Sequence, residues 1–279
     1  DDLGRLRGVV VLRDLFLADP EQTLADVMIT PAYSLPPHLP ALEAMKRVVS
    51  RHYPVYPVCE PDGRLVGLVR GESLFENQAI AISAMPGRMV GVRAQEGLAT
   101  PFWRSLRYRS PWLMTNLLLS LGSAVVVTYY REAVQAMVLL AVFLPVISAQ
   151  ARNSGAQTMA IALRGITNGE WSNDRTRFIL AKETLIGLAT GLLVGAVAGA
   201  LIGLQAVQQG EPAPLGIGLV LTGAMAASCA LSGAAGIAVP LLLRRLGADP
   251  ALASSIILST ITSIVSQGLF LGAAAWCLL

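Results

Sequence analysis

The chain is poor in charge. Only 14% of its 279 residues are Asp, Glu, Lys or Arg, against 54% hydrophobic ones, and its mean hydropathy is +0.59. That balance excludes an ordinary soluble domain. The net charge of +3 is too small to argue for nucleic acid. Cysteine is scarce as well. Cys59, Cys229 and Cys277 are far apart and form no CxxC pair, so neither a disulfide framework nor a zinc site of that kind is expected. Histidine is limited to His38 and His52. They lack metal-ligand spacing, and the HExxH helix of a membrane zinc protease is absent. No enzyme is expected. There is no signal peptide, and the opening on Asp1 without Met suggests a fragment lacking an upstream portion.

What charge there is lies unevenly. Residues 1–110 hold 12 of the 18 acids and 13 of the 21 bases. The expected architecture is therefore a small α/β part followed by an all-α membrane part. Its divisions are residues 1–84, a connecting segment over 85–110 at the membrane face, and five spans over 111–279.

The first part repeats itself. Gly4-Arg-Leu-Arg-Gly8 returns as Gly63-Arg-Leu-Val-Gly67, each followed by apolar residues and a helical pattern. Between them, Leu42–Ser50 has helical spacing and Tyr53–Val58 reads as a short strand. With Asp26-Val27-Met28 and Pro54–Val69, this resembles the CBS domain. Residues 1–30 resemble the tail of one module and 31–76 most of a second. The resemblance implies a regulatory clamp or an adenine-nucleotide site. A small dimerisation module without ligand is the alternative. His38 and His52 read as isolated. Met85–Gln95, with Pro86, Gly87 and Gly91, reads as a joint. Phe102–Trp112 is basic and aromatic, as befits a membrane interface.

Five apolar stretches follow: Pro111–Tyr130, Ala133 to about Leu163, Ile179–Val207, Leu215–Leu243 and Ala251–Leu279. Each exceeds the roughly 20 residues needed to cross a bilayer. The third carries glycines at four-residue spacing, Gly187, Gly191, Gly195 and Gly199, which permits close helix contact. Arg104, Arg107, Arg109, Arg164, Arg175, Arg177, Lys182, Arg244 and Arg245 all fall on one side. That side is expected to be cytoplasmic, and the chain to be a multi-pass protein of the plasma membrane in contact with lipid.

Two spans are polar where lipid would not favour it. The second carries Gln150, Arg152, Asn153, Ser154, Gln157 and Thr158, and an interruption of the helix is expected there. Polar side chains at membrane depth turn inward to a partner or to water. Gly155 would let a backbone or an ion approach, and amide and hydroxyl oxygens suit hard cations. The fifth carries Ser254, Ser255, Ser259, Thr260, Thr262, Ser263, Ser266 and Gln267. Ser259, Ser263, Ser266 and Gln267 share one face, although hydroxyls can also bond back to their own helix. Glue between helices and an ion path both remain open for these stripes. Lys182 and Glu183, at the entry of the third span, read as an interfacial pair.

The order of Ser110-Pro-Trp-Leu113, Asn153-Ser-Gly-Ala-Gln157 with Arg164, Lys182-Glu183 with Gly187, and Leu246-Gly-Ala-Asp-Pro-Ala251 resembles the MgtE family of magnesium transporters. The resemblance implies a homodimer with one divalent-cation pore at its interface, lined by the second and fifth spans. Its ion-pathway residues would be Asn153, Ser154, Gly155, Gln157, Ser259, Ser263 and Ser266. Asp249, Ser259 and Ser263 would be its metal-facing set. It also implies Mg2+ as cargo and as a regulator bridging acids, here Glu72, Glu76 and Glu96, near the CBS region. The chain departs from the family in three places. Ala151 and Arg152 stand where two glycines are usual. Ser263 occupies the position of a pore aspartate. The acids after the CBS module are mostly missing. Weakened ion affinity, relaxed selectivity and weak magnesium-dependent closure are expected as a result.

Overall fold

A computed structural model of the chain describes residues 1–48, 51, 53–76, 87, 89–93, 95–168 and 171–278, apart from the side chains of residues 41, 42, 46, 173 and 251–254. The chain forms two compact units, Asp1–Ala84 and Met85–Leu279.

Among the described residues, the first unit holds the short helices α1 (Leu12–Leu17), α2 (Leu24–Val27) and α3 (Ala41–Val48), an antiparallel pair, β1 (Val55–Cys59) with β2 (Leu65–Arg70), and a helical stretch over 71–76. Tyr56 and Val48 are fully buried where β1 meets α3, with Leu35, Ala44 and Leu74 around them. The Tyr56 hydroxyl donates to the Val48 carbonyl at 3.3 Å, so this large ring is buried with its polar tip satisfied. The sequence repeat has a structural meaning. Gly4 and Gly63 both adopt left-handed φ. Each feeds a strand-like segment, and the two segments pair: the Leu6 amide donates to the Gly63 carbonyl, and the Leu65 amide to that of Gly4. Thr23 and Asp26 form a capping box on α2. The Thr23 hydroxyl, then its amide, hold the Asp26 carboxyl below its ordinary range.

The second unit is helical. Five helices are long and apolar enough to cross a membrane. They belong to α4 (Phe102–Tyr129), α6 (Val138–Asn168), α7 (Thr176–Gln209), α8 (Pro214–Arg245) and α9 (Pro250–Cys277), with a short α5 (Arg131–Ala136) between the first two. The helix of the first span begins ahead of its apolar stretch: Pro101 caps it and Pro111 lies within it. One expectation changes. The second span is not interrupted at its polar stretch. α6 runs unbroken through Pro145 and Asn153, and the break falls upstream, at Met137 between α5 and α6. The amide side chains point off the helix surface and do not compete for its backbone.

The helix pairs interlock through small residues. A Cβ added at Gly199 would stand 2.4 Å from the Gly218 carbonyl oxygen, and Gly187, Gly191 and Gly195 are similarly tight against Cys229, Ala226 and Thr222. α7 and α8 thus run antiparallel at backbone contact, as the four-residue spacing predicts. Thr222 adds a bridge, its hydroxyl donating to the Gly195 carbonyl at 2.9 Å. α6 lies parallel to α8. Ser154 meets Cys229, and Gly155 meets Ser232 and Gly236. α9 runs antiparallel to α6 and parallel to α4. Leu258 packs at Gly155, Ile264 at Gly122 and Gly272 at Tyr130, while Gln267 reaches Ser148. Leu139, Leu140, Ile147, Ile202, Leu221, Met225, Phe270 and Leu271 fill the space between them.

Candidate ion pathway

The polar residues of α6 divide by direction. Ala151, Gly155, Thr158 and Met159 are buried, while Arg152, Asn153 and Gln157 are exposed. Ser154 turns to α8, where its hydroxyl lies 3.4 Å from the Cys229 carbonyl. Gly155 is the seat of a backbone contact: a Cβ at Gly236 would lie 2.6 Å from the Gly155 carbonyl oxygen. Of the five residues in Asn153–Gln157, the structure therefore turns two into the protein and leaves two amides outward. Asn153 and Gln157, four residues apart on one face, make no hydrogen bond to any described residue.

The hydroxyls of α9 behave differently. Ser259 and Thr260 donate to the Ile256 carbonyl, both at 2.9 Å. Thr262 donates to Ser259 at 3.1 Å and Ser266 to Ser263 at 3.2 Å. Ser263 is the exception: half-buried, its hydroxyl bonds to no described residue. Farther along, the Gln267 amide ties three helices together. It donates to Ser148 of α6 at 3.1 Å and accepts from Ser123 of α4. Contacts at Leu258–Gly155 and Gln267–Ser148 fix the register of α6 against α9. Asn153 and Ser263 consequently lie within about one helical turn of the same depth.

Asp249 immediately precedes Pro250, the first residue of α9, an Asp-Pro pattern typical of a helix start. Among the described residues, no group of three or more His, Cys, Asp or Glu side chains could hold a metal ion. Glu72 and Glu76 are exposed. Glu96 is committed elsewhere, its side chain 2% exposed and paired with Arg109 at 2.7 Å. Asn77, Gln78, His52 and much of the expected joint lie outside the described residues.

Lys182 and Glu183 do pair, and Glu183 also reaches into the helix bundle. Glu183 is buried in α7, and its Oε2 accepts from the Thr158 hydroxyl of α6 at 3.2 Å, while Lys182 pairs with Oε1 at 3.1 Å. No local signal announces this bond, because Thr158 lies 25 positions away.

Five apolar helices of crossing length with polar contacts between them, in a chain that also holds a small α/β unit, define a multi-pass membrane protein. Residues 144–273 match the family model of the MgtE divalent cation transporter, and residues 24–79 that of the CBS domain. The chain thus carries an MgtE domain and a CBS domain, the two families its motifs resemble. It is 26% identical to the magnesium transporter MgtE of Enterococcus faecalis, over 99% of this chain and 59% of that protein. It is equally similar, 26%, to the proteins of the same name from Bacillus subtilis, over 97% of the chain and 58% of the relative, and Thermus thermophilus, over 98% and 60%. The chain spans about three fifths of the length of these relatives. The relatives are transporters.

Proposed function

We propose that this chain forms the conducting part of a dimeric divalent-cation channel or transporter, with magnesium as its cargo and a pathway where two copies meet. One observation carries the reading. Asn153 and Gln157 present amides that no described residue satisfies, outward from a helix of membrane-spanning length, inside the stretch that matches the cation-transporter family. Lipid offers them nothing, and a polar group left unpaired in hydrocarbon costs several kcal/mol, about the loss of a full hydrogen bond. A second copy of α6, water and a hydrated cation would satisfy them. The unbonded Ser263 belongs to the same pathway. Ser154 and Gly155 hold α6 on α8, Ser259 and Ser266 shape α9, and Asp249 starts that helix.

Magnesium releases its waters reluctantly. A pathway of amides and hydroxyls would pass it largely hydrated, bonding to its water shell. The arginine-rich ends would face the cytoplasm, at the plasma membrane, and the CBS unit would regulate from there, with magnesium or an adenine nucleotide as its ligand. The groove of about 460 Å3 between Ser34–His38 and Cys59–Pro61 is the place in that unit where such a ligand would lodge. Glu72 and Glu76 are the acids left for regulatory magnesium.

The test is magnesium uptake into liposomes containing the purified chain. Asn153→Leu should reduce flux to background while leaving the dimer intact. Normal uptake by that variant would remove the assignment. Binding of nucleotide with no flux in the unmodified chain would favour a sensor that conducts nothing, and equal uptake of other divalent cations a carrier of relaxed selectivity.

A further inference from the structure

The five long helices contain a single carboxylate, Glu183. It is 3% exposed, and nothing in the pathway as drawn requires it. Burying a carboxylate is costly unless it is paired and hydrogen-bonded. Here both oxygens are engaged, one by Lys182, whose own side chain is half exposed, and one by Thr158. Thr158 directly follows Gln157. One residue along a helix is about 100° of rotation, so whatever fixes Thr158 also fixes where Gln157 and, four residues back, Asn153 point.

The surroundings are tightly packed. On the α8 side, a Cβ at Gly236 would lie 2.9 Å from Thr158 Cβ and 2.6 Å from the Gly155 carbonyl. A Cβ at Gly233 would lie 2.6 Å from the Glu183 carbonyl. α6, α7 and α8 therefore converge at backbone distance around one hydrogen bond. Close packing sets the distance between the helices. The Thr158–Glu183 bond supplies a directional constraint that apolar contact lacks.

We infer that Glu183 is a positioning residue for ion passage: acting through Thr158, it sets the rotation of α6 so that the Asn153 and Gln157 amides converge on the pathway. The inference rests on the proposed function. Lys182 anchors the carboxylate at its other oxygen, and Glu183 itself touches no ion.

The experiment uses the full chain in liposomes loaded with a magnesium-sensitive dye, with Asn153→Leu as the reference. Glu183→Leu and Thr158→Val should each raise the magnesium concentration for half-maximal flux about tenfold or more, the usual size of an effect on the groups that orient a ligand. Selectivity over sodium should fall, with dimer and melting temperature close to those of the unmodified chain. Thr158→Ser and Glu183→Gln retain a hydrogen bond across the pair and should restore both quantities. The double variant should be no worse than Glu183→Leu alone, because the bond that Thr158→Val removes is already absent there. If Asn153→Leu abolishes flux while Thr158→Val leaves affinity and selectivity unchanged, Glu183 is a packing residue and the inference fails, though the pathway stands. If Asn153→Leu transports normally, the pathway falls and the role of Glu183 with it. Should Glu183→Leu not fold, Thr158→Val, which leaves no charge unpaired, decides alone.

Discussion

The polar stripes of α6 and α9 look alike in the sequence and differ in what they bond. α9 is lined with Ser and Thr, and four of its hydroxyls return to a carbonyl three or four residues back. A hydroxyl can do this because its reach matches one helical turn. The amides of Asn153 and Gln157 have no such local solution and stand outward without a partner among the described residues. Polarity in a membrane helix is thus of two kinds. One satisfies itself and marks packing, and the other must be met from outside. By that criterion the proposed pathway takes two side chains from α6 and, from α9, Ser263, the one hydroxyl of its stripe between Ser259 and Ser266 that bonds to no described residue.

The comparison breaks most directly at α6. Asn153→Leu and Gln157→Leu should each take magnesium uptake to background in the liposome assay, with Asn153→Leu the more complete. Uptake surviving in both would mean that the outward amides serve dimer packing. On α9 the sharper change is an added charge. Ser263→Asp introduces a carboxylate in each copy where neutral oxygens now stand. It should tighten divalent binding about tenfold or more, which requires only about 1.4 kcal/mol of added attraction, and should improve discrimination against sodium. Competition of sodium with magnesium in a flux assay measures this. Unchanged selectivity would place Ser263 against protein. A smaller shift in the same direction is expected from Arg152→Gly. Arg152 is exposed beside Asn153 and has no ion pair among the described residues, so its removal lifts a repulsion without adding a ligand. The shift should be a few-fold and should shrink at high salt, as screening predicts. A loss of affinity would instead show that Arg152 holds the dimer together.

Much of this was legible in the residues. Hydrophobic runs located all five crossing helices, and the glycines of α7 announced the contact with α8. The paired Gly-Arg-Leu repeats pointed to the small α/β unit. What remained hidden depends on partners distant in sequence. Nothing local distinguishes Ser154 and Gly155, which face α8, from Asn153 and Gln157, which do not. Only the packing of Gly155 on Gly236 sorts them. Glu183 looked interfacial because it adjoins Lys182 near a helix start, and its bond to Thr158 depends on how α6 and α7 cross. The polar stretch suggested a helix boundary by local rules that a long helix can override. Glu96 looked available until Arg109 was found beside it.

The smallest expected effect tests the other half of the comparison. Ser259 is one turn from Ser263 on the same helix, so a sequence reading groups the two. Its hydroxyl already donates to the Ile256 carbonyl at 2.9 Å. That carbonyl also serves the helix and Thr260, so it does not lose its only partner when Ser259 is truncated. Ser259→Ala should therefore cost about 0.5 kcal/mol of stability or less, the usual size of such bonds in membrane helices. It should leave magnesium flux and selectivity within about twofold of the unmodified chain, a difference of well under 1 kcal/mol. The measurement is a melting curve in detergent beside the liposome assay. A large loss of flux at unchanged melting temperature would show that the Ser259 hydroxyl leaves its helix to meet the ion, and the distinction between self-satisfied and outward polar groups would no longer locate the pathway.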